Sequence, residues 1–328
     1  MIKFKNVSKK FGKEVEAVKN LSLEIKESEL LVFLGTSGSG KTTCIKMVNR
    51  LEEVSSGHIF VEGKNIQEYD PIQLRRKIGY AVQHIGLFPH FTVGENIATV
   101  PNLLNWEKEK TDKRVEEMLE LVELAPDQFK DRYPYQLSGG QKQRIGVARS
   151  LAADPEILLM DEPFGAIDPI TRFTLQDGFL KIQRKLKKTT LFVTHDMFEA
   201  IKLGDRIALI DKGNLQQLDK PETLIDNPAN KFVEDFLGSQ RFQLALLTKE
   251  INDLEDIKKL KKEKPKKEIQ PEAGLKLTDS LLKAINLFKT TEAEKIGLYD
   301  KEKLIKTLDK EKLVSIISQF LGQWIASE

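Results

Sequence analysis

The stretch Gly35-Thr36-Ser37-Gly38-Ser39-Gly40-Lys41-Thr42-Thr43 constrains this chain more than any other. It fits the pattern G-x-x-x-x-G-K-[ST] and lies between an apolar run, Leu30-Leu31-Val32-Phe33-Leu34, and a helix-like stretch, Cys44-Ile45-Lys46-Met47-Val48. Strand, glycine-rich loop and helix in that order predict an α/β fold with a phosphate-binding loop at the turn. A polyphosphate has to be wrapped by backbone N–H groups, and Gly35, Gly38 and Gly40 let the chain come close with no Cβ in the way. Lys41 is placed to reach the β and γ phosphates, the Thr42 hydroxyl suits Mg²⁺, and Thr43 adds a hydroxyl near the α and β phosphates. The following helix aims its positive dipole end at the same anion. A chance Gly/Ser turn capping a helix is the bland alternative, and the strand and helix on either side argue against it.

With 328 residues the chain is long enough for a well-buried core and suggests one large and one small domain. Its net charge of +2 gives no general pull toward nucleic acid, and no nucleic-acid partner is expected. One cysteine excludes an internal disulfide. With no secretory signal at Met1-Ile2-Lys3-Phe4, it points to a reducing, cytosolic setting, where Cys44 would be a small core residue. No segment approaches the length of apolar chain that spans a bilayer, so a membrane role would be peripheral, through partner subunits.

Upstream of the loop, Ile2 to Val7 alternates, Phe11-Gly12-Lys13 turns, and Val15 to Ile25 carries apolar residues at about period two. Phe11 is either a stacking surface for a base or a core aromatic, and spacing does not choose. Downstream, Gly57 to Gly63 and Ile78 to Gln83 read as strands, the second ending in a lone amide. His84-Ile85-Gly86-Leu87-Phe88-Pro89-His90-Phe91 is a loop with greasy side chains: an interface, or a segment tucked under its own domain. Glu107 to Glu123 is helical, with Val115, Met118, Leu119 and Val122 on one face.

Leu137-Ser138-Gly139-Gly140-Gln141 then opens a helix predicted over 141–152. Ser-Gly-Gly at a helix start offers N–H groups to an anion, or is only a glycine-rich way into a helix. One nucleotide does not need two such sites from one subunit unless the chain pairs with a copy of itself. Ile157-Leu158-Leu159-Met160-Asp161-Glu162 is a buried-type strand ending in two acids. Asp161 is suited to Mg²⁺ and Glu162 to polarising the attacking water. Thr190 to Asp196 is a further strand, and it delivers His195 where a γ-phosphate sensor could sit. Paired acids at strand ends are common and a single His is usually structural, so these residues gain meaning only together.

From Met1 to about Gly238 the chain resembles the ATP-binding subunit of an ABC transporter. Leu137-Ser138-Gly139-Gly140-Gln141 matches the signature of that family in full. The resemblance implies a RecA-like core, an antiparallel β subdomain and a helical subdomain, with ATP and Mg²⁺ as ligands. It also implies a head-to-tail homodimer in which Ser138, Gly139, Gly140 and Gln141 of one copy face ATP on the loop of the other. By the same resemblance Phe11 stacks on adenine, Gln83 links Mg²⁺ to the membrane partner, Asp161 is the metal-binding acid, Glu162 the catalytic base and His195 the switch histidine. Gly165-Ala166-Ile167-Asp168 matches the D-loop with Ile where Leu is commoner, a harmless swap of similar volume.

The stretches Gln83 to His90, Val100 to Trp106, Pro163 to Arg172 and Thr194 to Asp205 are most similar to importers of glycine betaine, carnitine and choline. That implies an ATPase at the cytoplasmic face of the membrane, beneath two integral permease subunits and served indirectly by an extracytoplasmic substrate-binding protein. An importer of another cargo, such as an amino acid or a metal chelate, and a soluble ABC ATPase are the alternatives.

After Gly238 the character changes. Residues 239–270 read as a helical, basic linker, with Gln240 to Leu260 helix-like and a lysine run from Lys258 to Lys267. Residues 271–328 resemble a single degenerate CBS repeat. It has a helix with Leu281, Leu282, Ile285 and Phe288 inward, strands around Ile296 and Leu304, and a helix from Leu313 to Ile325. Ninety residues are too few for the usual pair of repeats, so the tail is either a half-module completed by the dimer or a remnant.

Overall fold

Ile2–Phe11 (β1) and Val15–Ile25 (β2) pair antiparallel, and their alternation buries Ile2, Phe4 and Val7 together with Val18, Leu21, Leu23 and Ile25. The computed structural model describes residues 1–12, 14–82, 86–165, 167–254, 257, 273–300 and 302–326. Ser56–Val61 (β4) and Lys64–Asn65 (β5) complete a four-stranded sheet of order β2-β1-β4-β5.

The larger sheet has the order β10-β9-β3-β8-β7-β6. It contains Leu30–Leu34 (β3), Ile78–Ala81 (β6), Ile157–Asp161 (β7), Thr189–Thr194 (β8), Arg206–Asp211 (β9) and Asn214–Asp219 (β10). Pairing is parallel from β9 across to β6, and β10 returns antiparallel to β9. Every residue of β3, β7 and β8 is buried, as near-continuous apolar runs predict for the middle of a parallel sheet.

The helices of this part are Lys41–Val48 (α1), Pro71–Lys77 (α2), Val93–Leu103 (α3), Lys108–Leu121 (α4), Pro126–Phe129 (α5), Gly139–Ala152 (α6), Pro169–Leu186 (α7) and Met197–Leu203 (α8). One hydrophobic cluster joins the two sheets through α1: Phe4 and Ile25 meet Leu31, Phe33, Leu159 and Val193, with Cys44, Ile45 and Met47 between them. Cys44 is a core residue, and burial pushes its thiol up to about 12, which leaves it inert. Helices α3, α4 and α6 pack together and bury Val115, Met118, Leu119 and Val122 as their spacing predicts. α6 begins at Gly139, two residues before the expected start. Ser138 is its N-cap: the Ser138 hydroxyl accepts from the Gln141 N–H, and Gln141 Oε1 accepts from the Ser138 N–H.

The chain divides into two units, Met1–Leu224 with Pro228–Val233, and Ile225–Asn227 with Glu234–Glu328. In the second, Ala273–Lys276 (β11) runs parallel to Lys295–Asp300 (β12), which pairs antiparallel with Lys303–Asp309 (β13). Helices Leu281–Thr290 and Lys310–Ala326 belong with this sheet, and Leu275, Leu281, Ile296, Leu298, Leu313 and Ile317 share one core. Of the expected inward face, Leu281 is fully buried and Leu282, Ile285 and Phe288 are partly so.

Of the helix expected from Gln240 to Leu260, the described residues show Arg241–Thr248, a break after it, and helix again at Ile257. The backbone turns extended at Lys249, and Glu250 bridges to Ser280. The break brings Ile251, Leu254 and Ile257 into the tail's core, and that burial outweighs a few more helical turns. The lysine run from Lys258 to Lys267 lies outside the described residues.

Candidate functional site

Parallel strands bring their carboxyl ends to one edge, where open α/β sheets bind ligands. Adjacent strands β3, β8 and β7 lead directly into Gly35, His195 and Glu162, with Leu34 opposite Thr194 and Asp161 opposite Val193.

The loop after β3 takes a path that two neighbouring strands dictate. Gly40, the N-cap of α1, has φ +102°, and a Cβ there would stand 2.2 Å from the Ala17 carbonyl oxygen. A Cβ on Gly35 would stand 2.0 Å from the Ile210 carbonyl oxygen. The turn between β9 and β10 supports the loop from below: the Gly213 N–H donates to the Ser39 carbonyl at 3.1 Å, and the Lys19 N–H donates to the Gly213 carbonyl at 2.9 Å. Sequence reading assigned no role to Ala17, Ile210 or Gly213, because only their backbones take part.

Lys41 is buried under its own loop. Its Nζ donates to the carbonyls of Gly35 and Thr36, each at 2.8 Å, and to Ser39 Oγ at 3.1 Å. Burial pushes its pKa down, opposed by the negative charge of Glu162 and Asp161. Thr36, Ser37 and Gly38 are exposed, and Thr43 is half-buried beside Thr42. The Thr42 hydroxyl donates to Asp161 Oδ1 at 3.0 Å. Asp161 is 2% exposed, and burial raises its pKa against the lowering effect of that hydrogen bond.

Glu162 follows at φ +47°, a left-handed conformation that costs a non-glycine residue about 1–2 kcal/mol. Two backbone bonds hold it there: its N–H donates to the Val193 carbonyl at 2.9 Å, and its carbonyl accepts from the Gly165 N–H at 3.1 Å. The result places Glu162 Oε1 3.1 Å from His195 Nδ1. His195 is largely open to solvent and Glu162 is not.

Phe11 ends β1 and is 42% exposed, with Lys9 Nζ 4.7 Å from its ring centroid, so it is no core aromatic. Gln83, with His84 and Ile85, lies outside the described residues. The rest of that loop is split between the two readings. Phe88 is exposed, whereas Asn96, fully buried in α3, holds the loop's backbone by accepting from the Phe88 N–H and donating to the Phe88 and Phe91 carbonyls.

The Ser138 turn belongs to another part of the chain. Its helix packs on β6, three strands from β3, about 14 Å at ordinary strand spacing. No left-handed φ occurs at Gly139 or Gly140. A Cβ on Gly139 would meet nothing within 4 Å, and one on Gly140 only Ile167 Cγ2 at 3.8 Å. Among the described residues, nothing in their own chain requires these two glycines.

Arg172 was given no role by sequence reading. Its guanidinium donates to the Ile167 carbonyl at 2.9 Å and pairs with Asp196 Oδ2 at 3.5 Å. It therefore ties the turn after Glu162 to the residue after His195. The one available signal was an Arg four residues after a helix-capping Asp, since Asp168 caps α7. Ile167 is buried, as an aliphatic standing in for Leu should be.

The profile of the ABC transporter family matches residues 18–165. The chain is similar to the glycine betaine/carnitine/choline transport ATP-binding protein OpuCA of Bacillus subtilis, 47% identical over 93% of this chain and 77% of that protein. It is also similar to the choline transport ATP-binding protein OpuBA of the same organism, 53% identical over 74% of this chain and 63% of that one, so it spans less than two thirds of the latter. Among solved structures, a dimeric post-hydrolysis ATP-binding cassette bound to ADP and Pi superposes with TM-score 0.62 at 35% identity, covering 67% of this chain and 98% of that one.

Proposed function

The chain belongs to the ABC transporter ATP-binding family, and from that premise we propose that it is the ATP-hydrolysing subunit of an importer for osmoprotectants of the glycine betaine, carnitine and choline class. One observation carries the catalytic part: Lys41, Thr42, Asp161, Glu162 and His195 meet at the ends of three adjacent strands. The cargo rests on kinship, since similar proteins are named for those amines.

In this reading the N–H groups from Gly35 to Thr43 and the start of α1 bind the triphosphate, and Lys41 exchanges its loop carbonyls for phosphate oxygens. Phe11 stacks on adenine. The Thr42 hydroxyl and Asp161 carboxylate are hard oxygen donors side by side, which fits Mg²⁺, and Gln83 is the third proposed ligand. Bound there, the ion would neutralise phosphate charge. Glu162 orients the attacking water and accepts its proton, and His195 contacts the γ-phosphate from beside it.

Two copies are proposed to pair head to tail. Ser138, Gly139, Gly140 and Gln141 of each would close over the triphosphate on the other's loop. The two glycines with open space at their Cα atoms support this, because a second chain's phosphate oxygens are what would need that space.

Contact with two permease subunits is proposed at a cavity of about 190 Å³ lined by Asn49, Arg75, Arg76, Tyr80, Arg149 and Ser150. Asn49 Oδ1 is buried with no hydrogen-bond partner, and Arg75, Arg76 and Arg149 line the same cavity. A helix bringing one carboxylate and one N–H or O–H donor would satisfy both. Among the described residues no helix is long and apolar enough to cross a membrane, and we place the subunit at the cytoplasmic face beneath its partners, with the substrate-binding protein acting only indirectly. We keep the division expected from sequence, an ATPase domain to Gly238, a linker, and a single CBS-like module from 271.

Glu162→Gln tests the enzyme reading. Turnover should fall at least about a hundredfold while ATP holds the protein as a dimer on gel filtration. Turnover at the wild-type rate would exclude it. Reconstitution with its permease tests the cargo: ATPase stimulated by none of the three amines would exclude that assignment.

A further inference from the structure

Tyr135 is 76% exposed, the most open large aromatic among the described residues, and its ring stacks on that of Tyr133 with centroids 5.7 Å and planes 11° apart. The backbone that presents the pair is fixed at both ends. The Tyr133 N–H donates to Gln136 Oε1 at 2.7 Å, Pro134–Gln136 forms one 3₁₀ turn, and buried Leu137 anchors the exit into the Ser138 cap. A flat aromatic surface held rigidly in water is a stacking platform.

Its place along the chain identifies the guest. Tyr135 stands three residues before Ser138, a span of at most about 10 Å and less through a 3₁₀ turn. In the head-to-tail dimer proposed above, on which this inference rests, Ser138 faces the terminal phosphate held by the other copy. A group a few residues upstream, on the same surface as the bare Gly139 and Gly140, then comes level with the ribose and base of that same nucleotide. Phe11 is 42% exposed, with Lys9 Nζ 4.7 Å from its ring centroid, and its single ring would cover only one face of a base.

We propose that Tyr135 of one copy covers the outer face of the base whose inner face lies on Phe11 of the other, with Tyr133 holding the Tyr135 ring in plane. Each purine would be sandwiched across the dimer interface, so base identity would affect closure of the dimer and not only capture by the monomer. The stacking requires an extended π-face and therefore favours purines over pyrimidines.

The experiment compares Glu162→Gln with Glu162→Gln/Tyr135→Ala and Glu162→Gln/Tyr135→Phe, titrating ATP or CTP and following dimer formation by light scattering. Fluorescent-ATP binding to the Tyr135→Ala monomer is measured alongside. The Ala variant should need about tenfold more ATP to dimerise and lose most of its preference for ATP over CTP, with monomer binding unchanged and the Phe variant close to its parent. Equal ATP midpoints for the Ala variant and its parent overturn the proposal while leaving the dimer intact. Weakened binding to the monomer overturns it too, because the contact would then lie within one copy. Failure of Glu162→Gln itself to dimerise removes the head-to-tail reading and this one with it.

Discussion

The Thr42 hydroxyl donates to Oδ1 of Asp161 at 3.0 Å, joining two residues 119 positions apart. Through that contact the first turn of α1 is tied to the last residue of β7, and the two oxygens suited to a divalent cation are set side by side.

Asp161→Asn should raise the stability of the ligand-free protein at neutral pH. The Asp161 pKa is raised in the folded state, chiefly by burial. Its favourable contribution is therefore complete below the unfolded carboxylate pKa and lost as pH rises through the folded one. At pH 7.5 the ionised group costs stability, and the amide removes that cost; near pH 4 the advantage should shrink. The same variant should lose stabilisation by Mg²⁺-ATP. Melting temperatures at the two pH values, with and without Mg²⁺-ATP, check both signs, and a lower melting temperature for the free variant at pH 7.5 would contradict the argument.

Two Gly→Ala changes should separate folding from function. Gly40→Ala puts a Cβ 2.2 Å from the Ala17 carbonyl oxygen at φ +102°, and should cost more than about 2 kcal/mol in denaturant unfolding. Gly139→Ala meets open space in a helical first turn and should leave stability unchanged or raise it by a few tenths of a kcal/mol. Its ATPase rate should nevertheless fall at least about tenfold, because in the proposed dimer that room is taken by the other copy's nucleotide. Full activity in Gly139→Ala would show that the helix start is not used.

Asn96→Ala should loosen the segment from Gly86 to Phe91 without unfolding the domain. The amide pairs one N–H and three carbonyls there, and leaving such groups unpaired costs about 1–3 kcal/mol each where they stay buried. Hydrogen exchange should accelerate at Phe88 and its neighbours. In the reconstituted transporter, ATPase should persist while amine uptake falls. Uptake in proportion to ATPase would mean that the loop plays no part in coupling.

Arg172→Lys tests whether the fork geometry matters. A lysine keeps the charge but cannot reach the Ile167 carbonyl and the Asp196 carboxylate together. We expect kcat to fall about tenfold, KM for ATP to change little, and stability to shift by less than about 1 kcal/mol. An unchanged kcat would reduce Arg172 to an ordinary surface charge.

Much of the catalytic edge was legible residue by residue. The glycine-rich loop, the two acids after an apolar strand and the His after another each occupy a contiguous stretch, and the parallel sheet brought those stretches to one edge. Helix α6 was displaced by two residues because its capping box depends on the Ser138 side chain and not on apolar periodicity. The helix expected to Leu260 broke after Thr248 because three apolar residues beyond it had a core to join, which helical propensity does not register. Phe11 stayed undecided in the sequence, since an aromatic at a strand end reads alike whether buried or open.

What the sequence determined alone was the local chemistry: which stretch can wrap a phosphate, which strand ends carry acid or imidazole, and which helix start presents bare N–H groups. Tertiary structure alone decided that Thr42 touches Asp161, that Glu162 adopts a left-handed backbone beside His195, and that Arg172 spans two loops. Backbone preference and side-chain type act over a few neighbouring residues and are written in order along the chain. Contacts between distant residues come from strand pairing and core packing, whose energies are summed over the whole domain and belong to no short segment.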